Sequence, residues 1–174
     1  ITDSAIGGGP ALGLYAIQRG LGYRGDGSLQ AGSYISNPQV RDREREYQHL
    51  KLSQRDENFI AGDAISDDAI MQIEALIQTA QARGGAVIGV IPSYSPATYA
   101  ELMTSGDFAY IPLAIERLQA LFADYDATLF DFSDAAALNI NEMQMIDLVH
   151  PSELAAARMW LTMAQAQTDL LGAY

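Results

Sequence analysis

Cysteine is absent from this chain of 174 residues. Its absence excludes disulfide bonds, thiolate metal sites and cysteine nucleophiles, but it leaves the redox compartment undecided. Histidine is scarce as well: the chain has only two, His49 and His150, far apart in the sequence. This pattern has no HExxH-type spacing, so we predict no metal site. His49 lies in a polar stretch, where we expect it to be exposed.

Basic residues are also few, with 10 Lys and Arg against 22 Asp and Glu, a formal net charge of −12 and a pI near 4.3. A surface of this charge repels phosphate backbones and anionic lipid headgroups, so we expect neither nucleic-acid nor membrane-surface partners. No apolar run reaches the length of a membrane span, and no signal peptide is visible. The chain begins with Ile1 rather than Met, which leaves open whether further residues precede it.

The whole chain is 49% hydrophobic and 18% charged, which is typical of a folded globular protein of one domain. A helix is predicted at Ala11–Ile17. Residues 21–63 are rich in Gly, Ser, Asn, Asp and charge and show little periodicity, so we predict a long irregular segment there. Loops of such length are usually functional or poorly ordered. The best candidate for a strand within it is Gly32–Ser36.

The pattern becomes regular at Ser66, a residue type that caps helices. Apolar residues follow at helical spacing and predict one buried stripe: Ile70, Ile73, Leu76, Ile77 and Ala80. Gly84–Gly85 ends this helix. The apolar run Ala86–Ile91, closed by Pro92, then predicts a strand buried on both faces of a parallel sheet.

A second helix is predicted at Tyr110–Ala123, a second strand at Thr128–Phe132 and a last helix at Pro151–Leu170. Four residues of the first of these helices should face inward: Ile111, Ile115, Leu118 and Phe122. Strand, helix and strand in this order form a βαβ unit with a right-handed crossover. We therefore predict an α/β fold, three-layer αβα with a parallel sheet of the flavodoxin-like kind. Only two strands are clear, so either others lie in residues 21–63 or the chain is part of a larger domain.

In open parallel sheets, ligands bind beyond the carboxyl ends of the strands. Three polar segments should converge there: Pro92–Pro96, Asp131–Asp134 and the loop Asp147–His150. A carboxylate that holds an imidazole fixes its tautomer and stabilises the imidazolium, so Asp147 and His150 are the candidate acid–base pair.

Ser93, Tyr94 and Asp131 are candidate substrate-binding residues. Each assignment has an alternative. His150 could cap the last helix at the surface, Asp147 could be an ordinary loop carboxylate, and Asp131 could bind backbone amides at the end of its strand. Ser93 is a weak candidate nucleophile, since it lacks the Gly-x-Ser-x-Gly elbow.

Phe130–Ser133 and Asp147–Ser152 together resemble the C-terminal part of the SGNH (GDSL-type) hydrolases, in which an Asp-x-x-His-Pro loop precedes the last helix. Val87–Pro96 is similar to a later strand of bacterial SGNH-like proteins, some of which act on acyl groups of cell-surface polysaccharides. The resemblance covers about residues 65–172. It implies that His150 is a general base and that Asp147 orients it.

The resemblance further implies a serine esterase or acyltransferase that acts on an ester, such as an acylated carbohydrate, without a cofactor. A periplasmic, other extracytoplasmic or membrane-anchored location in a bacterium follows from it, although the composition suits the cytoplasm equally. The oligomeric state stays open.

The chain departs from the SGNH pattern in its first half. The family's Gly-x-Asn-Asp block is missing, and Thr2–Ser4 resembles the serine block without the strand that precedes it. Two alternatives follow: Ser4 is the nucleophile, or the nucleophile and the oxyanion donors lie upstream of Ile1 and residues 1–63 are an insertion. The competing hypothesis is a non-catalytic α/β module that binds a partner or glycan through residues 21–63 and the cleft at the strand ends.

Overall fold

A computed structural model of the protein describes residues 21–23, 29–31 and 38–168. The helix predicted at Ala11–Ile17, the candidate strand Gly32–Ser36 and the candidate nucleophile Ser4 lie outside these residues. The chain divides into two compact units, Ile1–Gln48 and His49–Tyr174.

The first unit contains a short antiparallel pair, β1 (Leu21–Tyr23) with β2 (Leu29–Ala31). Helix α1 (Pro38–Gln54) begins in this unit and ends in the second. The prediction of an irregular segment at residues 21–63 is therefore wrong for these stretches. Helix α1 is rich in charged and amide side chains and lacks an apolar stripe, so hydrophobic periodicity does not predict it. Its Glu, Arg, Gln and Lys residues nevertheless favour a helix.

The second unit is built on two parallel strands, β3 (Ile88–Ile91) and β4 (Thr128–Asp131), in the register Ile88 to Thr128 and Ile91 to Asp131. The parallel pairing predicted from the sequence is confirmed, and the protein is a mixed α/β structure. The crossover contains two helices, α3 (Pro96–Thr104) and α4 (Tyr110–Asp124). Only the second of these helices was predicted from the sequence.

One hydrophobic cluster joins α4 to helix α2 (Asp67–Ala82) and to Leu129 of β4. Ser66 caps α2 as predicted, its Oγ accepting a hydrogen bond from Ala69 N at 3.2 Å. The predicted stripe of α2 is only partly buried, because Ile77 is fully enclosed whereas Leu76 is 62% exposed. Of the residues predicted to face inward from α4, Ile111 and Phe122 are buried.

A second cluster joins Phe130 and Phe132 to the last helix, α5 (Glu153–Ala166), through Ala155 and Met159. This helix begins two residues later than predicted, because Ser152 is its N-cap and Pro151 pairs with Met145 instead. Val90 of β3 is 45% exposed, so the prediction that this strand is buried on both faces is wrong at that position.

A third cluster holds the loops near the carboxyl end of the sheet. Its buried members come from α1, α3, α4 and the segments between them, and they include a residue of the predicted acid–base loop: Leu52, Phe59, Leu102, Phe108, Ile111 and Leu148. Arg55 joins the segment after α1 to the segment between α3 and α4, because its Nε and Nη2 donate to Asp107 Oδ2 at 2.9 and 2.8 Å.

Gly89 of β3 is required by the close approach of α4. A Cβ at this position would lie 2.5 Å from the ring of Phe122 and 2.7 Å from Leu129. We expect Gly89→Ala to lower the free energy of unfolding by about 1–3 kcal/mol, the usual cost of overpacking a core. Urea denaturation measures this. Gly62→Ala is the control, because its Cβ would meet only Tyr110 at 3.4 Å. Equal effects of the two substitutions would contradict the assigned contact.

Candidate active site

The carboxyl ends of β3 and β4 bring together the three segments singled out in the sequence. The parallel pairing continues past the strands, with Tyr94 N donating to Ser133 O at 3.1 Å. Ser95 N then donates to Leu148 O at 2.8 Å. The loop that leaves β3 is therefore hydrogen-bonded both to the loop after β4 and to the loop Asp147–His150.

The loop Asp147–His150 is closed by the chain on either side of it. Met145 and Pro151 form an antiparallel bridge, in which Ile146 N donates to His150 O at 2.8 Å and Ser152 N donates to Gln144 O at 2.9 Å. Leu148 is buried in the third hydrophobic cluster. The loop is thus held at its base by backbone pairing and at its tip by an apolar anchor.

Asp147 is the centre of this loop, with a side chain only 5% exposed. Its Oδ1 accepts hydrogen bonds from Val149 N at 2.9 Å and His150 N at 2.8 Å. Its Oδ2 lies 2.7 Å from His150 Nδ1. An ionised carboxylate can only accept, so Nδ1 is the donor whenever Asp147 is ionised, and a neutral ring then has its lone pair on Nε2. Asp147 therefore orients the ring as well as turning the loop.

His150 presents its ring to solvent, with a side chain 66% exposed. The alternative that it caps the last helix is wrong, since Ser152 Oγ accepts from Ala155 N and occupies that position. A ring fixed through Nδ1 with an accessible Nε2 is the arrangement of a general base. His49, the other histidine, is exposed on α1 as expected.

The three candidate substrate-binding residues differ in their surroundings. Ser93 is 2% exposed, and its Oγ has no hydrogen-bond partner among the described residues. Tyr94 packs half-buried on the third cluster, and this burial raises the pKa of its phenol. Asp131 Oδ1 accepts from Ser133 N at 2.9 Å, which confirms that it binds a backbone amide at the end of its strand. Their part in substrate binding stays a prediction.

Sequence reasoning missed the first turn of α3, which borders the acid–base loop. Ser95 and Thr98 are buried there, and Ala97 N donates to Glu142 Oε1 at 2.7 Å. Two amides at this helix start, of Ser95 and Ala97, therefore already have protein acceptors. The dipeptide Ser95–Pro96 was an available signal, since proline is favoured at the first position of a helix.

Within residues 21–23, 29–31 and 38–168, no group of three or more His, Asp or Glu side chains is placed to hold a metal ion. No helix in the described part of the chain is both long and apolar enough to cross a membrane. No protein-family model, curated protein or solved structure gave a significant match to this chain.

The two buried serines after β3 should respond differently to loss of their hydroxyls. Ser93→Ala removes a group without a described partner, so we expect the free energy of unfolding to stay level or rise by up to about 1 kcal/mol. Ser95→Ala breaks a 3.0 Å hydrogen bond to Thr98 Oγ1 and should lower it by about 1 kcal/mol. Urea denaturation measures both. A loss on Ser93→Ala as large as that on Ser95→Ala would show that Ser93 has a partner.

Proposed function

We propose that the chain is an SGNH-like serine esterase or acyltransferase in which Asp147 and His150 form the acid–base pair. The observation that carries this proposal is the 2.7 Å contact between a buried carboxylate and Nδ1 of an exposed imidazole, in a loop joined to the carboxyl end of the parallel sheet. The proposed fold is the three-layer αβα arrangement. The packing of α2 and α4 on Leu129 and of α5 on Phe130 supports it.

The proposed reaction proceeds in two acyl transfers. His150 Nε2 takes the proton of a serine hydroxyl as the serine oxygen attacks the ester carbonyl, and Asp147 stabilises the imidazolium. Backbone amides stabilise the oxyanion of the tetrahedral intermediate. The imidazolium then gives its proton to the departing alcohol oxygen, leaving an acyl-serine. Water or an acceptor hydroxyl, deprotonated by His150, then attacks the acyl carbonyl. The bond to the serine oxygen breaks, and the imidazolium returns its proton to that oxygen.

Ser4 is the candidate for the serine of this proposal, on its resemblance to the SGNH serine block alone. The substrate is an ester, and an acylated carbohydrate is the class that the resemblance to polysaccharide-modifying proteins favours. Both steps transfer only an acyl group and protons, so the chemistry requires no cofactor. The net charge of −12 disfavours esters that carry negative charge of their own.

The second candidate function is a binding module that keeps the fold without catalysis. One observation favours it: within the described residues, His150 hydrogen-bonds to Asp147 and no serine hydroxyl donates to its ring. Such a module would bind a glycan or a partner through the cleft at the strand ends. The two functions differ in whether a serine becomes acylated.

The two histidines provide a matched pair of substitutions for the first test. We expect His150→Ala to lower kcat/KM for p-nitrophenyl acetate by about 10²-fold or more, the contribution of a lost general base. His49→Ala, at an exposed position on α1, should leave the rate unchanged. The hydrolysis is followed by release of p-nitrophenolate. Equal rates for the protein and both variants would show that His150 is not the base.

Labelling with a fluorophosphonate identifies the nucleophile directly, because the probe reacts with a serine activated by a base. We expect peptide mass mapping to find the label on Ser4 and to find none in the His150→Ala variant. Label on another serine would refute Ser4 while supporting the base. Absence of label together with absence of ester turnover would refute the esterase and favour the binding module.

A further inference from the structure

The carbonyl of Leu148 links the acid–base loop to helix α3. Leu148 directly follows Asp147 in the sequence, and its oxygen accepts from Ser95 N at 2.8 Å. Ser95 is the N-cap of α3, so this hydrogen bond joins the start of the helix to the loop. A shift of Ser95 would therefore move, through this hydrogen bond, the backbone between Asp147 and His150.

A buried pair of hydroxyls holds Ser95 in place. Ser95 and Thr98 are 0% and 1% exposed, and Ser95 Oγ donates to Thr98 Oγ1 at 3.0 Å. Serine at an N-cap usually accepts a hydrogen bond from an amide of the first turn, but the hydroxyl of Ser95 makes no such bond. The hydroxyl donates instead to the side chain of Thr98, one turn further along the helix. This use of the hydroxyl stabilises the orientation of Ser95 relative to α3.

The same turn also holds the segment before the acid–base loop. Ala97 N donates to Glu142 Oε1 at 2.7 Å, and Glu142–Gln144 form the short helix that leads into Met145. The first turn of α3 therefore contacts the loop at its tip and at its approach. The hydrogen bonds to Leu148 O and to Glu142 Oε1 both come from backbone amides of this turn, so both depend on its position.

We infer that Ser95 and Thr98 are positioning residues for the Asp147–His150 pair. The inference rests on the proposed function and deepens it. Thr98 acts through Ser95, Ser95 acts through Leu148, and neither contacts the reacting atoms. Displacements of about 1 Å at a reacting centre cost up to 10²-fold in rate. We therefore expect the loss of one hydrogen bond between Thr98, Ser95 and Leu148 to lower kcat.

The test compares two substitutions of Thr98. Thr98→Val keeps the shape and removes the hydroxyl, whereas Thr98→Ser keeps the hydroxyl. We expect Thr98→Val to lower kcat for p-nitrophenyl acetate about tenfold, equivalent to about 1.4 kcal/mol in the barrier, without changing KM. Thr98→Ser should restore kcat. The control is Thr104→Val in the last turn of the same helix, where the hydroxyl donates to Ala100 O at 2.7 Å.

A second readout does not require a nucleophile. The proton between His150 Nδ1 and Asp147 Oδ2 gives a downfield ¹H NMR resonance when that hydrogen bond is short and protected. We expect Thr98→Val to shift or broaden it, and Thr98→Ser and Thr104→Val to leave it in place. Ser95→Ala serves as the second variant if Thr98→Val does not fold, with the same expected change.

The outcomes separate the inference from the proposed function. If Thr98→Val and Ser95→Ala lower only the stability, with kcat and the resonance unchanged, the positioning role is overturned. If the resonance changes as expected in a protein without esterase activity, positioning is supported and the esterase proposal fails. If kcat falls equally in Thr98→Ser, the hydroxyl is not responsible and the inference is wrong.

Discussion

The hydrogen bonds of the Asp147 carboxylate organise the candidate site. A carboxylate removed from water must be paired, because its desolvation is costly. Asp147 finds its partners within its own loop: Oδ1 takes the amides of Val149 and His150, and Oδ2 takes the ring of His150. The same group therefore turns the backbone and fixes the imidazole, so ring orientation is coupled to the fold of the loop.

The rest of the second unit holds this loop at the end of the sheet. Leu148 is anchored in a hydrophobic cluster with residues of α1, α3 and α4, and its carbonyl is held by Ser95. The antiparallel bridge between Met145 and Pro151 closes the loop just before Ser152 caps α5. A hydrophobic contact, the hydrogen bond from Ser95 and the bridge before α5 thus restrain the loop, while the ring of His150 stays exposed.

Local signals in the sequence predicted much of this arrangement. The Ser66 cap, the apolar spacing of α4 and the strand at Thr128 depend on neighbours within one turn or one strand, so short patterns predict them. The Asp147 to His150 spacing is local in the same sense.

Other features have no such local signal. Helix α1 lacks an apolar stripe, and the nine-residue α3 is too short for periodicity to reveal it. The exposure of Val90 depends on which elements cover β3, which an apolar run does not encode. The link from Ser95 to Leu148 joins distant segments, so only the folded chain reveals it.

The proposed acid–base pair requires that Asp147 orient His150 with an unprotonated Nε2. Long-range ¹H–¹⁵N correlation spectra of the histidine rings measure this most directly, because the two nitrogens of a neutral imidazole have distinct ¹⁵N shifts. We expect a protonated Nδ1 and an unprotonated Nε2 for His150, with this preference lost in Asp147→Asn. A His150 ring protonated on Nε2, or a mixture of tautomers that Asp147→Asn leaves unchanged, would contradict it.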